Sequence, residues 1–328
     1  MSDTTTTTKK KIIVTGGAGF IGSHLVDKLC EDSNNEVIVF DNYSSYGKEH
    51  CAHYANPKAQ YVEVDICYAV GELPDSRMAL ADAHVIYHLA AEARIQASFD
   101  YPELSLNTNV IGTMSLLTAA YEANKTRLRM PKIIFTSTSS LHKEFDGQNK
   151  ISTVATIDKG IDPKTPYGIG KHAAEKLIEQ YWGNQCGGDW VIARLFNVYG
   201  PRQPITGKYA TVVGLFEKQL LEGKPMTIVG DGKQRRDFTY VEDVVEKLIE
   251  LDLMAGGRKM VHNLSSGNSI NMFELAALLV NHYGITEYAF KHLPARLGES
   301  SAVVAGSYGY PKWMRSIDNV LDPKNIDK

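Results

Sequence analysis

Near its start the chain reads Ile12-Ile13-Val14-Thr15-Gly16-Gly17-Ala18-Gly19-Phe20-Ile21-Gly22. A short β-branched run enters a cluster of glycines and an amphipathic stretch, Phe20 to Cys30, leaves it. That order predicts strand, tight turn and helix. Gly17, Gly19 and Gly22 fill the spacing G-x-G-x-x-G. Glycine is needed three times there: for the turn, for close approach of a pyrophosphate, and for helix–strand packing. The first amides of the helix then point at an anion, where the helix dipole favours negative charge.

A second apolar run, Val37-Ile38-Val39-Phe40, ends on Asp41, 19 residues after Gly22. An acid about 20 residues beyond the glycines is placed to accept hydrogen bonds from an adenosine ribose. Its charge would repel a 2′-phosphate, which favours NAD over NADP. The alternating run Gln60 to Asp65 predicts a third strand, with Asp65 near the adenine. Further strands are expected at His84 to Ala91, ending in small residues, and at Lys132 to Phe135, running into Thr136-Ser137-Thr138-Ser139-Ser140. Between them the apolar residues from Leu104 to Ala123 recur at helical spacing. Near-continuous apolar strands alternating with helices predict a Rossmann-type α/β fold, a doubly wound parallel sheet covered on both faces. Ligands of such sheets lie beyond the carboxyl ends of the strands. The hydroxyl cluster belongs to that edge.

Bulk properties narrow the function classes. With 328 residues, 43% of them hydrophobic, the chain can bury one large core or two ordinary ones. A formal net charge of −3 makes no electrostatic case for nucleic acid or an anionic membrane. No apolar run approaches the ~20 residues that span a bilayer. Residues 1–11, a threonine tract followed by lysines, read as a disordered tail and not as a secretory signal. Cys30, Cys51, Cys67 and Cys186 lack paired spacing, so neither a disulfide framework nor a metal site is expected, and a cytoplasmic location is the default.

Pro166 opens a predicted helix in which Tyr167 and Lys171 stand at i and i+4, on one face. An ammonium beside a phenol favours the phenolate and lowers its pKa from about 10. A positively charged nicotinamide ring would lower it further, making the tyrosine a usable base near neutral pH.

These residues resemble the extended short-chain dehydrogenases/reductases that act on nucleotide-sugars. The motifs carrying the resemblance are Thr15 to Gly22, His88-Leu89-Ala90-Ala91, Asn107 to Gly112, Tyr167 to Lys171, Arg194 to Gln203, and Arg236-Asp237-Phe238. The resemblance spans Ile12 to about Glu299. It implies an NAD-binding Rossmann domain over residues 12–172 and a smaller α/β substrate domain, mainly 173–328, with later segments interleaving back into the first. It makes Tyr167 the base, Lys171 its tuner and ribose anchor, and Thr138 the hydroxyl that meets the reacting sugar oxygen. The cofactor set is Gly16, Gly19, Phe20, Ile21, Gly22, Asp41, Asn42, Asp65, Ile66, Leu89, Ala90, Ala91, Tyr167 and Lys171. The substrate set is Arg94, Thr138, Ser139, Ser140, Asn197, Arg202, Arg236, Arg296 and Glu299, with Asn197 meeting the sugar-nucleotide phosphates and Arg236 and Arg296 clamping the diphosphate or ribose. Homodimers through helices near 104–122 and 166–182 are implied as well.

Relatives share oxidation of a sugar C4 hydroxyl and then diverge. Dehydratases resemble Thr-Asp-Glu at the strand end and decarboxylating members usually keep a glutamate in the third place. Here that run is Thr138-Ser139-Ser140, without a carboxylate. The chemistry left is return of hydride to the other face of a rotated ketone. The resemblance therefore implies an NAD-dependent 4-epimerase of a UDP-hexose. A decarboxylase or dehydratase, or a non-catalytic NAD-binding regulator, is the alternative. The chain departs from the family where His142-Lys143 replaces the usual Tyr-Gly, where Lys143, Lys150 and Lys159 precede the helix, and where Gly168 and Gly170 interrupt its helix propensity. Packing against a dimer or cofactor surface is the expected reason for the two glycines.

Overall fold

The computed structural model describes residues 9–68, 70–142, 154–155, 160–207, 210–254, 259–296, 302–303 and 317. In chain order the first strands are β1 (Lys10–Thr15), β2 (Asn35–Asp41), β3 (Gln60–Glu63), β4 (Val85–His88), β5 (Lys132–Thr138), β6 (Val154–Ala155) and β7 (Trp190–Leu195). The later ones are β8 (Val198–Tyr199), β9 (Met226–Val229), β10 (Arg235–Asp237), β11 (Thr239–Tyr240), β12 (Met260–Leu264), β13 (Ser269–Ile270), β14 (Phe290–Leu293) and β15 (Ala302–Val303). One large sheet has the order β3-β2-β1-β4-β5-β7-β12-β6. Its pairs are parallel except β6 against β12. The chain moves outward from β1 to β3, then returns to place β4 on the other side of β1. That reversal opens a crevice at the carboxyl ends of β1 and β4.

Both faces of the sheet are covered, which is why its strands are apolar without alternation. Ile13, Ile38 and Phe40 pack with Leu80, Leu116, Leu117 and Ile178 on one face. Ile12, Val14, Val37 and Val39 pack with Leu25, Val26, Val244 and Leu248 on the other. The covering helices include α1 (Phe20–Leu29) and, between short α2 (Lys48–Ala52) and the site, α3 (Pro74–Leu80), α4 (Ile95–Asp100), α5 (Pro102–Leu106) and α6 (Gly112–Asn124). Further along are α7 (Pro166–Leu177), α8 (Val212–Leu221), α9 (Val241–Leu253) and α10 (Met272–Tyr283). A separate cluster, with Phe216, Met226, Ile228, Phe238, Leu275 and Leu279, joins α8 and α10 to the small sheets.

The stretch expected as one helix from 104 to 123 is α5, a π-helical segment at Asn107–Ile111, and α6. A second π segment, Ile178–Gln185, extends α7. Apolar spacing does not register such local widening, which is nonetheless common next to functional sites. In the first segment buried Asn109 donates to Glu92 O at 3.0 Å and accepts from Glu92 N at 3.1 Å, tying the helix to the loop after β4.

Candidate active site

A cleft of about 1120 Å3 runs along the carboxyl edge of the large sheet. Ligand pockets for one small molecule usually measure ~300–1,000 Å3. This one has room for a dinucleotide and part of a second ligand.

At one end lies the glycine turn. Gly16 has φ +71°, and a Cβ there would fall 2.7 Å from Ala90 N. A Cβ on Gly22 would fall 2.1 Å from Gly16 O. Gly17 instead faces Val39, 2.8 Å from its Cγ1, and does not line the cleft. The turn therefore uses Gly16, Gly19 and Gly22, not the triplet beginning at Gly17. No side chain caps α1 at Gly19. Its first-turn amides, at Phe20, Ile21 and Gly22, border the cleft, where an anion would meet them.

Asp41 accepts from Ala18 N at 3.0 Å and Tyr43 N at 2.8 Å. Burial pushes its carboxyl up and these two amides pull it back. Asn42 donates to Asp65 Oδ2 at 2.9 Å, while Asp65 Oδ1 accepts from Cys67 N at 2.8 Å. Ile66, Leu89, Ala90 and Ala91 complete this part of the wall. The narrow cradle at Gly16 and Ala90, the uncapped helix and an acid beside the adenosine end suit an adenine dinucleotide.

The other end is built on α7 and the end of β5. Thr165 caps α7 by accepting from Gly168 N at 3.0 Å, and Pro166 fixes the first helical residue. Tyr167 is buried and its hydroxyl shares a hydrogen bond with the Thr138 side chain. Thr138 Oγ1 also lies 3.1 Å from Ser140 Oγ. Burial raises the phenol's pKa; the Thr138 hydrogen bond and the charge of Arg94 pull it down. Lys171 is 2% exposed, with Nζ 4.3 Å from the centre of the Phe135 ring. Burial lowers its pKa to about 7 against the pull of Glu175. The charge that acts on the phenol is thus that of Arg94, while burial weakens the hold of Lys171 on its proton. The sequence pattern points to the Lys171 ammonium and a nicotinamide ring as the charges acting on the phenol, and does not reveal Arg94.

For Gly168 the chain itself supplies a reason to lack a side chain; for Gly170 it supplies none. A Cβ on Gly168 would stand 3.2 Å from Pro163 Cβ, and one on Gly170 would stand 3.4 Å from both Asn109 Cβ and Leu106 Cδ2. At Gly168, α7 packs closely on its own cap, within 3.2 Å of Thr165 Oγ1, and at Gly170 it is in ordinary contact with the π segment.

Ser139, Ser140, Asn197, Arg236 and Arg296 line the cleft with Arg94. Asn197 has φ +25° and donates from Nδ2 to Asp237 O at 2.8 Å. Arg202 is not brought to the cleft. Its guanidinium pairs with Asp27 at 2.7 Å and lies 5.1 Å from the Tyr54 ring centre. Neighbouring Pro201 O lies 2.9 Å from His24 Nε2, so this segment is fastened to α1. Glu299, Lys143, Lys150 and Lys159 fall outside the described residues.

Sequence reasoning missed Glu92, Asp162 and Lys164, which also line the cleft. Glu92 is carried there directly after the small-residue run. Asp162 and Lys164, 3.7 Å apart, come from the turn before Pro166, and nothing local marked them. His142, noted only as a departure, is buried, with Nε2 2.9 Å from Asn263 Oδ1 and its ring 6.0 Å from Phe196. Burial and the Arg194 charge hold its pKa at about 4. Among the described residues no group of three metal-ligating side chains occurs, and no helix is long and apolar enough to cross a membrane.

Comparison with known proteins gives a consistent picture. Residues 12–251 match the model of the NAD dependent epimerase/dehydratase family. A UDP-glucose 4-epimerase of Mycolicibacterium smegmatis is 34% identical over 293 residues, covering 87% of this chain and 86% of that protein. UDP-glucuronic acid decarboxylase 1 of Arabidopsis thaliana is 35% identical over 267 residues, 81% of this chain; the match spans 56% of the plant protein's length. The crystal structure of UDP-glucose 4-epimerase with UDP-glucose from Thermotoga maritima superposes with a TM-score of 0.83 at 32% identity, over 96% of this chain and 98% of that one.

Proposed function

Since this chain belongs to the NAD-dependent epimerase/dehydratase family, we propose that it is a nucleotide-sugar 4-epimerase acting on a UDP-hexose such as UDP-glucose, UDP-galactose or their N-acetyl forms. NAD, the family's cofactor, supplies the hydride acceptor and donor when bound. Gly16, Gly19, Gly22 and the first amides of α1 would hold its phosphates, and Asp41 its adenosine ribose. Tyr167 would take the proton from the sugar C4 hydroxyl as hydride leaves C4 for the bound NAD, and would give that proton back to the ketone oxygen once hydride has returned to the opposite face of the turned 4-keto sugar. Thr138, bonded to the phenol, orients that oxygen. Lys171 and Arg94 stabilise the phenolate. Asn197, Arg236 and Arg296 would engage the diphosphate end, where arginine's planar fork suits phosphate.

The observation carrying this reading is the strand end itself. Thr138, Ser139 and Ser140 offer hydroxyls where elimination or decarboxylation would call for a carboxylate. A second reading, decarboxylation, draws on Glu92 and Asp162 in the same cleft and on the plant decarboxylases among the relatives. Incubation with each UDP-sugar and mass analysis of the products separates them, because epimerisation conserves mass. Interconversion of at least one 4-epimer pair is expected, and loss of carbon dioxide or water would replace the epimerase reading. Tyr167→Phe should lower turnover by ~100-fold or more while bound NAD is retained.

We also propose a homodimer. Leu104, Ile111 and Ile169, on the packed segments α5, 107–111 and α7, are 47%, 54% and 51% exposed, more than isolated apolar residues need be. Sedimentation of the purified protein at twice the monomer mass is the expected result. All four cysteines are unpaired, which favours a reducing compartment such as the cytoplasm.

A further inference from the structure

Beneath the catalytic helix, Arg194 of β7 and Glu175 of α7 face each other, both side chains fully enclosed. Arg194 Nε donates to Glu175 Oε1 at 2.9 Å and Nη2 donates to Oε2 at 2.6 Å. This two-bond fork is the geometry in which a guanidinium holds a carboxylate best. Glu175 stands four residues beyond Lys171 on α7, and Lys171 four beyond Tyr167. Residues so spaced are neighbours on one helical face. Tyr167, Lys171, Glu175 and Arg194 therefore form a line of ionisable groups running from the cleft into the core.

The groups around Lys171 can be taken element by element. On α7 they are Tyr167 and Glu175; on β5 the Phe135 ring covers Nζ. On β4 stands His88, whose Nδ1 lies 2.7 Å from Thr15 Oγ1 and Nε2 2.9 Å from Thr113 Oγ1. Burial keeps that imidazole neutral, with a pKa of about 3. On β7 the charge is Arg194, reached through Glu175, and it also acts on His142. Glu175 is thus the negative charge that draws a proton to Lys171 against burial. How strongly it draws depends on how completely its oxygens are occupied.

We propose that Arg194 is a positioning residue for proton transfer at Tyr167: by clasping both oxygens of Glu175 it limits that carboxylate's pull on Lys171, and so decides the charge the lysine carries beside the phenol. The inference rests on the reading of Tyr167 as the base. Loosening the clasp makes the lysine hold its proton to higher pH, whereas removing the carboxylate lets the lysine shed it earlier.

The test uses the full-length, NAD-loaded protein labelled with 13C at the lysine ε-carbon. The Lys171 signal is assigned by its loss in Lys171→Met and followed against pH by NMR. Arg194→Lys keeps the charge but loses the fork, and the Lys171 midpoint is expected to move upward. The paired replacement Glu175→Gln with Arg194→Gln removes the carboxylate, and the midpoint is expected to move downward by about one unit. The acidic limb of kcat/KM, set by the Tyr167 phenol, should move in the opposite direction in each variant, because a lysine that keeps its charge lowers the phenol's pKa. Should Arg194→Lys not fold, Arg194→Gln takes its place with the same expected direction. Midpoints that stay put, or move together in both variants, overturn the proposal even if the enzyme is active. Failure of the unsubstituted protein to turn over any UDP-sugar would instead count against the epimerase reading, since the lysine titration needs no substrate.

Discussion

The backbone amide of Ala18 stands 3.0 Å from Oδ2 of Asp41, so the acid that ends β2 braces the glycine turn beside it. Its other oxygen holds Tyr43 N. Asp41 consequently has two tasks, and replacing it should disturb both. Asp41→Ala is expected to weaken NAD retention by ~10-fold or more, equivalent to about 1.4 kcal/mol. It should also reduce discrimination against NADP and lower unfolding free energy by about 1–3 kcal/mol through the two orphaned amides. Cofactor released on denaturation, together with a denaturant titration, reads both effects; unchanged NAD retention would remove the ribose role.

Adjacent glycines should behave differently. Gly16→Ala places a methyl 2.7 Å from Ala90 N at a positive φ, so bound NAD should be lost. Gly17→Ala presses on the side chain of Val39, away from the cleft. It should cost about 1–3 kcal/mol of stability as overpacking and leave NAD binding within about twofold once the protein is folded. Equal loss of cofactor in both variants would contradict the observed roles.

Arg202 gives a sharper contrast with the expectation from its motif. Because it pairs with Asp27 and lies over Tyr54, Arg202→Ala should leave KM for the nucleotide-sugar within about twofold. The stability change should be no more than about 1 kcal/mol, as for other partly exposed ion pairs. A large rise in KM at unchanged stability would return Arg202 to the substrate.

Acid sensitivity should come from three enclosed imidazoles. Burial lowers His88 to about 3 and His142 and His262 to about 4, against 6.5 in an unfolded chain. Between those values the unfolded chain binds protons that the folded chain does not, so stability falls as pH falls from 6.5 towards 4. The limit is about 1.4 kcal/mol per pH unit for each histidine. Asp237 works in the opposite sense. Burial lifts its carboxyl to about 7 from 3.8, so its contribution is full below 3.8 and is lost as pH rises to 7, offsetting one histidine. Denaturant titrations across this range should show the net slope, and His142→Gln should make it shallower by about one proton. An unaltered slope in that variant would rule out His142 as one of the groups.

What the sequence disclosed was the part written in neighbouring residues. The glycine turn, the acid after β2, and the start of α7 at Thr165 and Pro166 all follow from backbone preferences within a few positions. The choice of Gly16 over Gly17 did not, because it depends on Ala90 crossing from another strand. The low proton affinity of Lys171 was equally hidden, since its cause is enclosure beneath Phe135, 36 positions earlier. Arg202 was misread because a motif specifies neighbours in the chain and not the direction a guanidinium takes. The π segments escaped because they preserve apolar periodicity while altering the backbone.

Strand β12 pairs in parallel with β7 near the end of the large sheet, and α9 lies across the same sheet. A ribosome must therefore deliver residue 264 before the cofactor-holding half can close. A fragment ending near residue 200 would leave β7 with a raw edge and Val191 and Ala193 without their cover, inviting aggregation. Cutting this protein into two autonomous pieces at a single peptide bond should fail. Its refolding should also be slow, because contacts this distant in the chain are the last to be made.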